Sequence, residues 1–468
     1  MDTSVIITTL VLYNIVLIAI GLWAESRTKT QEDFFLGGRK LGPIVGAISY
    51  SASAASAWTL LGMSGAAYVL GFSALWIAGG AVLGCIIAWL WVAPKMMTYS
   101  RKNNILTLTD FLAHGTDDGW KKASVIFASI VILISFTFYI ASQFQGAGNT
   151  FALTFGISAS SSIMLGGGVI LLYTLLGGFW AVSVTDTLQG MLMLLSAVLL
   201  PTAAYVELVS QAGSFSAGLE SVYDADALTL SGKNIGMAAI GMIVGNLAVG
   251  LGAIGQPHLN VRFMAMRDKK ALNIARIIGI AWYAIVFFGM CLLGMIGHAL
   301  MPNIDNPENI FFALTESVFT PIIGAILLAT VLSAIMSTAD SMLLVAASTL
   351  AHDLGLGKYF TGREILISRI AIIGISALSI VVAIYLPASI FSRVLFAWNA
   401  LGAAFGPLVL VRLAGIKIQQ SYAFFAMVTG FSLAVLFYSM DNTPGDILER
   451  VAPFTCGIII LMLSKVKK

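Results

Sequence analysis

The chain has 468 residues, of which 59% are hydrophobic and 10% are charged. Soluble proteins carry about 25% charged residues, so the composition excludes a soluble protein. A formal net charge of only +3 also argues against a nucleic-acid partner. Apolar stretches of roughly 17 to 25 residues, each long enough to cross a bilayer, recur from end to end. They predict an all-α polytopic membrane protein whose partner is the lipid bilayer.

The apolar stretches predict thirteen transmembrane helices. Their centres lie near residues 14, 56, 86, 135, 168, 198, 245, 285, 335, 376, 402, 428 and 458. The first stretch begins near Val5 without a preceding basic segment, so a cleavable signal peptide is not expected. The three cysteines lie far apart in apolar segments, which favours packing over metal binding.

The distribution of Lys and Arg predicts the orientation, because cytoplasmic loops carry an excess of both. If the N-terminus is outside, 22 of the 25 basic residues lie in predicted cytoplasmic segments, including five near 262–276. The opposite orientation would place those 22 residues outside. We therefore predict a multi-pass protein of the cell (inner) membrane with an external N-terminus and a cytoplasmic C-terminus.

Two of the predicted spans have features of interrupted helices. The second runs from about Gly42 to Tyr68, which is too long and too rich in small residues for one regular crossing. The seventh reads GMAAIGMIVGNLAVGLGAIGQPH, and its glycines and Pro257 weaken a helix. Interrupted helices at matching positions are typical of secondary transporters with inverted repeats and a binding site near the membrane midplane.

The two interrupted spans are five apart, which predicts a core of five plus five helices. The expected boundaries are 1–41 for the first helix and a cytoplasmic loop, 42–209 for the first repeat (spans 2–6), 234–412 for the inverted second repeat (spans 7–11), and 413–468 for two C-terminal helices. No predicted loop is long enough to hold a soluble domain.

The second span contains the stretch SYSASAASAW, residues 49–58, in which Ser and Ala replace large aliphatic side chains. Small residues allow close packing between membrane helices. They also allow the backbone to unwind, and carbonyl oxygens of an unwound segment can coordinate a cation. The sequence leaves both interpretations open.

The ninth span supplies hydroxyl groups. Ser333, Ser337 and Ser341 recur at intervals of four residues and therefore share one helix face. Thr338 lies beside them, and Asp340 turns toward the same face with apolar helix on both sides. An acid inside the membrane is a functional hypothesis by default. A hydrogen bond that serves only packing between helices is the alternative.

Other polar and aromatic residues could line a cavity. Asp186, in GGFWAVSVTDTLQG, is predicted at the cytoplasmic end of the fifth span, where it could approach Asp340 or remain a solvated loop acid. The fourth span carries the amides of Gln143 and Gln145. Further candidates are Trp58, Tyr139, Trp398 and Asn399, although aromatic residues in membrane proteins more often serve packing or interface anchoring.

Seven motifs occur in one order between about residue 33 and residue 412. They are DFFLGGRKLGP, WTLLGMSGAAYVLGFSALWIAGG, LTLTDF, YTLLGGFWAVSVTDTLQ, GLGAIGQPHLNVRFMA, LSAIMSTADSMLLVAAS and WNALGAAFGPLVL. Together they resemble the sodium:solute symporter family, and within it the chain is most similar to the sodium/proline symporters. The resemblance implies an APC/LeuT-like core of five plus five inverted helices, alternating access, and sodium as the coupling ion without any other cofactor.

The resemblance also implies the residues of the ion sites. For the main sodium site these are the carbonyl groups of Ala52, Ala55 and Ala334 and the hydroxyl groups of Ser337 and Thr338. Some family members bind a second sodium ion. The matching positions in this chain are Asp186, Asp340 and Ser341, with Ser337 shared.

For the solute, the resemblance implies Ser56, Trp58 and Pro257, with Ala57 in place of a glycine. The candidate solute site is completed by the cavity residues Tyr139, Gln143, Trp398 and Asn399. We therefore expect the solute near the interruptions of the second and seventh spans.

Three positions depart from the sodium/proline symporters. Ala54 stands where those proteins carry an aspartate important for sodium, and other family members lack that acid too. Val249 and Ala253 stand where they carry an aromatic pair associated with proline recognition. The loss of two rings enlarges the pocket or changes its polarity, which leaves the solute open among small organic molecules.

The sequence therefore predicts a secondary active transporter that couples sodium to the symport of a small organic solute, an amino acid such as proline. One alternative is proton-coupled symport of an organic acid or a vitamin, with Asp340 and Asp186 as the proton relay. Another is a membrane sensor without transport. An enzyme is not expected, because the four histidines are scattered. ATP-driven pumping is not expected either, because no phosphate-binding loop is found. The oligomeric state stays open.

Overall fold

A computed structural model describes most of the chain. The described residues are 3–25, 31–115, 118–175, 178–356, 364–386, 388–441 and 443–464. Among them, regular secondary structure is helical, and strand-like pairing is limited to one isolated bridge between Leu41 and Met266. The prediction of an all-α fold is confirmed.

The described residues form twenty α-helices. In the first half of the chain they are α1 (Thr3–Glu25), α2 (Gln31–Leu36), α3 (Pro43–Ala57), α4 (Ser64–Leu70), α5 (Leu75–Ile87), α6 (Ala93–Lys102), α7 (Leu108–Ala113), α8 (Asp118–Phe155), α9 (Ala159–Thr174), α10 (Phe179–Ala212) and α11 (Phe215–Glu220). In the second half they are α12 (Gly236–Leu247), α13 (Pro257–Ala265), α14 (Lys269–Leu300), α15 (Ile310–Val318), α16 (Pro321–Ser348), α17 (Glu364–Tyr385), α18 (Ile390–Leu413), α19 (Gln420–Tyr438) and α20 (Ile447–Leu463).

Ten helical segments of the described chain are long and apolar enough to cross a membrane. One of them covers the 60 residues Pro43–Lys102, which at 1.5 Å per residue would extend about 90 Å if straight, three times the bilayer core. Its direction changes near Gly71, whose φ of 57° suits glycine. Every predicted span centre falls inside a described helix, but α9 and α20 are shorter than a standard span. The number thirteen therefore stays a prediction.

The helices divide into a buried core and a lipid-facing periphery. α16 and α18 are almost wholly buried, whereas α1 and α19 are mostly exposed. The exposed face of α1 is apolar and includes Ile7, Val11 and Ile15. An apolar surface of this kind is stable where lipid is the solvent, because the helix satisfies its own backbone hydrogen bonds. The core around α16 and α18 therefore positions the candidate site.

Both predicted interruptions are present. In α3, Ser56 has φ 59° and ψ −176°, a left-handed φ that non-glycine residues rarely adopt. A π-helical turn over Trp58–Met63 follows and leads into α4. In the seventh predicted span, α12 gives way to a 3₁₀ segment over Ala248–Gly255, and Gln256 is extended before α13 begins.

The 3₁₀ segment packs with its backbone directly against the backbone of its neighbours. A methyl group added at Gly250 would lie 2.2 Å from the Gly80 carbonyl oxygen of α5. One added at Gly84 would lie 2.3 Å from the Gly250 carbonyl oxygen. On the other side, one added at Gly255 would lie 2.3 Å from the Leu401 carbonyl oxygen of α18. Glycine is required at these contacts because any side chain would force the segments apart.

The structure corrects the sequence-based placement of two charged residues. Arg262, counted above among the cytoplasmic loop charges, is 1% exposed inside α13. A further helix, α13, begins at Pro257 and buries Arg262, because proline at the first turn begins a helix well. Asp186 lies two turns inside α10, which corresponds to the sixth predicted span and not to the end of the fifth, and it is 0% exposed.

Candidate functional site

The hydroxyl groups of α16 contact the backbone of α3 just before its interruption. The Ser337 hydroxyl donates to the carbonyl oxygens of Ala52 (3.2 Å) and Ala334 (3.1 Å). The Thr338 hydroxyl donates to the Ser53 carbonyl oxygen at 3.0 Å. These five residues, called here the hydroxyl–carbonyl cluster, are fully buried and present only neutral oxygens at this contact. Such oxygens are typical ligands of sodium ions in transporters.

Ala55, also predicted at the sodium site, lies nearly one turn after Ala52 in α3. Its carbonyl oxygen accepts a hydrogen bond from the Thr59 hydroxyl at 2.5 Å and another from the Trp58 backbone N–H. These bonds lie within its own interrupted segment. The structure thus brings Ala52, Ala334, Ser337 and Thr338 together directly, and places Ala55 one turn further along.

A second cluster shares Ser53 with the first, includes Ser341 one turn further along α16, and contains a charged pair. The Arg262 Nη2 donates to Asp186 Oδ2 (2.8 Å), Ser53 Oγ (2.7 Å) and Ser341 Oγ (2.6 Å). The Arg262 Nε donates to Ser49 Oγ at 2.8 Å, and Ser49 Oγ donates to Asp186 Oδ2 at 2.7 Å. These five buried residues, called here the arginine cluster, join α3, α10, α13 and α16.

Sequence reasoning predicted Asp186 and Ser341 for an ion site but missed Arg262, Ser49 and Ser53. The spacing of the two serines was a usable signal, since Ser49 and Ser53 are four residues apart on one face of α3. Arg262 gave a weaker signal, because it follows a proline and precedes several loop charges.

The two membrane acids have different partners. Asp340 accepts a hydrogen bond from the Thr174 hydroxyl of α9, whereas Asp186 pairs with Arg262. Asp186 Oδ1 and Asp340 Oδ2 have no hydrogen-bond partner among the described residues. The structure therefore does not join Asp186 and Asp340 in one hydrogen-bonded pair within the described chain.

Polar side chains of α8 contact the interruption of α3. The Ser56 hydroxyl accepts hydrogen bonds from the Trp58 backbone N–H (3.1 Å) and the Tyr139 hydroxyl (3.4 Å). The Ala57 backbone N–H donates to Gln143 Oε1 at 3.0 Å. These five predicted solute-site residues thus form one buried group.

The Trp58 ring packs between two phenylalanine rings. Its centroid lies 5.4 Å from that of Phe287 in α14 and 5.9 Å from that of Phe391 in α18. Phe391 stands in the first turn of α18. The start of α18 therefore packs directly on the Trp58 ring through Phe391.

The remaining predicted solute residues lie on other elements. Trp398 Nε1 donates to the Val249 carbonyl oxygen at 2.8 Å, so the ring packs on the 3₁₀ segment of the seventh span. Asn399 Nδ2 donates to Glu449 Oε1 in α20 at 2.6 Å. Pro257 lines a cleft at the arginine cluster. The structure thus distributes Trp398, Asn399 and Pro257 over three separate contacts.

The two ends of the core differ in packing. A narrow cleft lies on the side of the arginine cluster. Its lining includes Phe35, Pro257, Arg262, Ser341 and Asp353. Arg262 and Ser341 therefore belong to the arginine cluster and also line the cleft.

The opposite end is closed by hydrogen bonds at the start of α18. The Glu308 carboxylate accepts from the backbone N–H groups of Ile390 (3.2 Å) and Phe391 (2.9 Å). Gln145 Nε2 donates to the Ala388 carbonyl oxygen at 2.9 Å, and Gln145 Oε1 accepts from Arg393 at 2.5 Å. Burial raises the pKa of Glu308, and the helix N-terminus provides the donors that a carboxylate needs.

The sequence pattern that defines the sodium:solute symporter family matches residues 34–430. The chain belongs to this family. Two curated relatives from Bacillus subtilis (strain 168) align over nearly the full length. The osmoregulated proline transporter OpuE is 34% identical, covering 98% of this chain and 95% of that protein. The high-affinity proline transporter PutP is 36% identical, and the alignment covers 95% of this chain and 94% of that protein.

The fold is also that of transporters whose structures have been solved. The structure of a substrate-bound, outward-open Na⁺-coupled sialic acid symporter aligns with a TM-score of 0.80 at 17% identity, covering 98% of each chain. This confirms the LeuT-like transporter fold expected from the sequence. Membership of the symporter family gives the functional class: a transporter, not an enzyme, that couples sodium to the symport of a small solute.

Proposed function

We propose that this protein takes up proline, or a closely related small zwitterion, across the cell membrane together with sodium. The full-length similarity to two bacterial proline transporters supports the solute. The replacements at Val249 and Ala253 still leave a buried, apolar lining, since these two side chains are 1% and 5% exposed. A small apolar ring such as that of proline is compatible with these positions.

Sodium binds, in this proposal, at the hydroxyl–carbonyl cluster. The observation that carries it is the reach of Ser337 and Thr338 from α16 to the carbonyl groups of Ala52 and Ser53 in α3. A sodium ion there would exchange neutral hydrogen bonds for ion–oxygen contacts and would need no carboxylate. Ala54 is therefore compatible with sodium binding although it offers no charge, and Ala55 would add its carbonyl group after a small rotation of its turn.

The solute binds beside the α3 interruption, close enough to sodium for the two affinities to be coupled. Ser56, Ala57 and Trp58 follow the sodium ligands directly in the chain, and Tyr139 and Gln143 reach them from α8. Sodium would fix the α3 backbone and thereby position these groups for the solute. The coupling must be reciprocal, so the solute also strengthens sodium binding.

The test is uptake of radiolabelled proline into proteoliposomes, with and without an inward sodium gradient, with unlabelled amino acids and carboxylic acids as competitors. Sodium-stimulated uptake that unlabelled proline inhibits best would support the proposal. Sodium-stimulated uptake inhibited best by another competitor would overturn proline as the solute. Uptake that responds to a proton gradient in sodium-free medium and not to sodium would overturn sodium coupling and assign the relay to Asp340.

A further inference from the structure

The guanidinium of Arg262 is surrounded by oxygens in the manner of a bound metal ion. Its Nη2 lies within 2.6–2.8 Å of three oxygens that belong to three different helices, α3, α10 and α16. A guanidinium Nη nitrogen carries two hydrogens, so three acceptors exceed its donors. Three oxygens from three helices thus share the donors of one positively charged nitrogen.

These oxygens include the groups that the family resemblance assigns to a second sodium ion. Asp186 and Ser341 are in that predicted set, and Ser341 also donates to the Ser337 carbonyl oxygen at 2.8 Å. The remaining predicted acid, Asp340, is bonded to Thr174 on another helix. In this structure the cation among these groups is therefore a side chain of the protein itself.

Charge balance opposes a sodium ion beside Arg262. Arg262 and Asp186 are both fully buried, and together they are neutral. A buried charge is tolerated only when it is paired. A sodium ion at the same oxygens would place a second cation beside Asp186, the one carboxylate that belongs to the arginine cluster, because Asp340 bonds to Thr174 outside it. Sodium and the guanidinium are therefore alternatives at this position.

Access to the cluster leads to the same conclusion. Arg262 and Ser341 line the same cleft, so an ion that reaches the Ser341 hydroxyl from this side lies beside the guanidinium. Arg262 belongs to α13, the half-helix after the interrupted segment of the seventh span. Its hydrogen bonds to α3, α10 and α16 tie that half-helix to the core in the conformation observed here.

We propose that Arg262 is a tethered cation that occupies the second ion position, so that the wild-type protein binds one sodium ion. The proposal rests on the proposed sodium site at Ser337 and Thr338. It assigns to Arg262 the role of setting how many sodium ions accompany each solute molecule. A sodium ion can take the second position only when the guanidinium is removed.

The experiment counts sodium ions bound by the purified full-length protein, using radioactive sodium in a saturation assay. The wild type is expected to bind one ion per chain. Arg262→Gln removes the tethered charge, leaves the oxygens of Asp186, Ser53 and Ser341, and is expected to bind two. Arg262→Lys keeps a tethered charge and is expected to bind one. The double variant Arg262→Gln/Asp186→Asn has neither charge and is expected to bind one.

Each outcome separates the two proposals. Two sodium ions in the wild type, or one in both the wild type and Arg262→Gln, would overturn the role of Arg262 and leave the main sodium site intact. No saturable sodium binding in the wild type would overturn the proposed function itself. Flux measurements give a second readout, because the ratio of sodium to solute transported should double from wild type to Arg262→Gln.

Discussion

The hydroxyl–carbonyl cluster and the arginine cluster share Ser53 and adjoin each other between the same two helices, α3 and α16. The first contains neutral oxygens only at its contact, whereas the second contains a buried ion pair. The difference arises from two side chains, those of Arg262 and Asp186, which reach in from α13 and α10. The same pair of helices therefore provides two kinds of position. One suits an ion that binds reversibly, and at the other the cation is a side chain of the protein.

The two clusters should respond differently to substitution, because neutral hydrogen bonds stabilise the first and a buried ion pair stabilises the second. A neutral hydrogen bond contributes about 0.5–1.5 kcal/mol, which an entering ion can replace. Removing one partner of a buried ion pair costs about 3–5 kcal/mol, because the other charge stays buried alone. Substitutions in the arginine cluster should therefore change stability, and those in the hydroxyl–carbonyl cluster should change sodium activation.

The largest effect is expected for Asp186→Ala, which leaves the Arg262 guanidinium buried without a counter-charge. We expect about 3–5 kcal/mol of lost stability, seen as a lower melting temperature of the purified protein. Sodium should not restore it, since a cation cannot replace a carboxylate. The matched control is Asp186→Leu/Arg262→Met, which removes both charges and should melt near the wild type. A single variant as stable as this double variant would contradict the prediction.

Ser337→Ala should affect sodium activation while the protein remains folded. The loss of one oxygen ligand is expected to weaken sodium binding by about 2 kcal/mol, or roughly 30-fold in the half-saturating sodium concentration for uptake. Ser333→Ala is the control, because Ser333 lies one turn earlier on the same face and bonds to Tyr13 and to the Ala329 carbonyl group. Equal sodium dependence in the two variants would place sodium elsewhere.

Gln143→Leu should weaken solute binding more than sodium binding. The substitution leaves the Ala57 N–H at the α3 interruption without its acceptor. We expect the binding free energy of proline to weaken by about 1.4 kcal/mol, which corresponds to a tenfold higher KM for proline. Ser142→Ala removes the other partner of the same amide and keeps the bond to Ala57, so its KM should stay near that of the wild type. A KM unchanged by Gln143→Leu would remove Gln143 from the solute site.

The smallest effect is expected at Glu308, far from both clusters. Glu308 is docked when its carboxyl group bonds to the N–H groups of Ile390 and Phe391 at the start of α18. Burial raises the pKa of Glu308 in this docked state, so the docked state binds a proton more tightly than an undocked one. Docking of Glu308 on α18 should therefore strengthen as pH falls and weaken as pH rises through the raised pKa. Spin labels at Asn303 and Ser392 would show a shorter mean distance in mild acid. Glu308→Gln, which cannot ionise, should abolish this pH dependence, while Asp305→Asn on the same loop should not.

The helix-level features of the site could be predicted from the sequence because they follow from periodicity and composition. Four-residue spacing placed Ser337 and Ser341 on one face, and small residues and glycines marked both interruptions. Arg262 could not be placed in this way. Charge counting treats a basic residue near a predicted loop as solvent-exposed, and only the continuation of α13 beyond Pro257 buries it. The different partners of Asp186 and Asp340 depend on helix packing, which no local pattern contains.

The glycine contacts around the 3₁₀ segment have a consequence for how this chain tolerates mutation. Gly84, Gly250 and Gly255 have no room for a single methyl group, whereas Gly79 has its nearest neighbouring atom at 3.9 Å. A saturation mutagenesis screen should therefore show three positions that accept nothing but glycine beside one that accepts alanine. Within the 3₁₀ segment, changes that alter the solute site are therefore expected at side chains such as Val249 and Ala253, because the backbone contacts with α5 and α18 leave no room for larger residues.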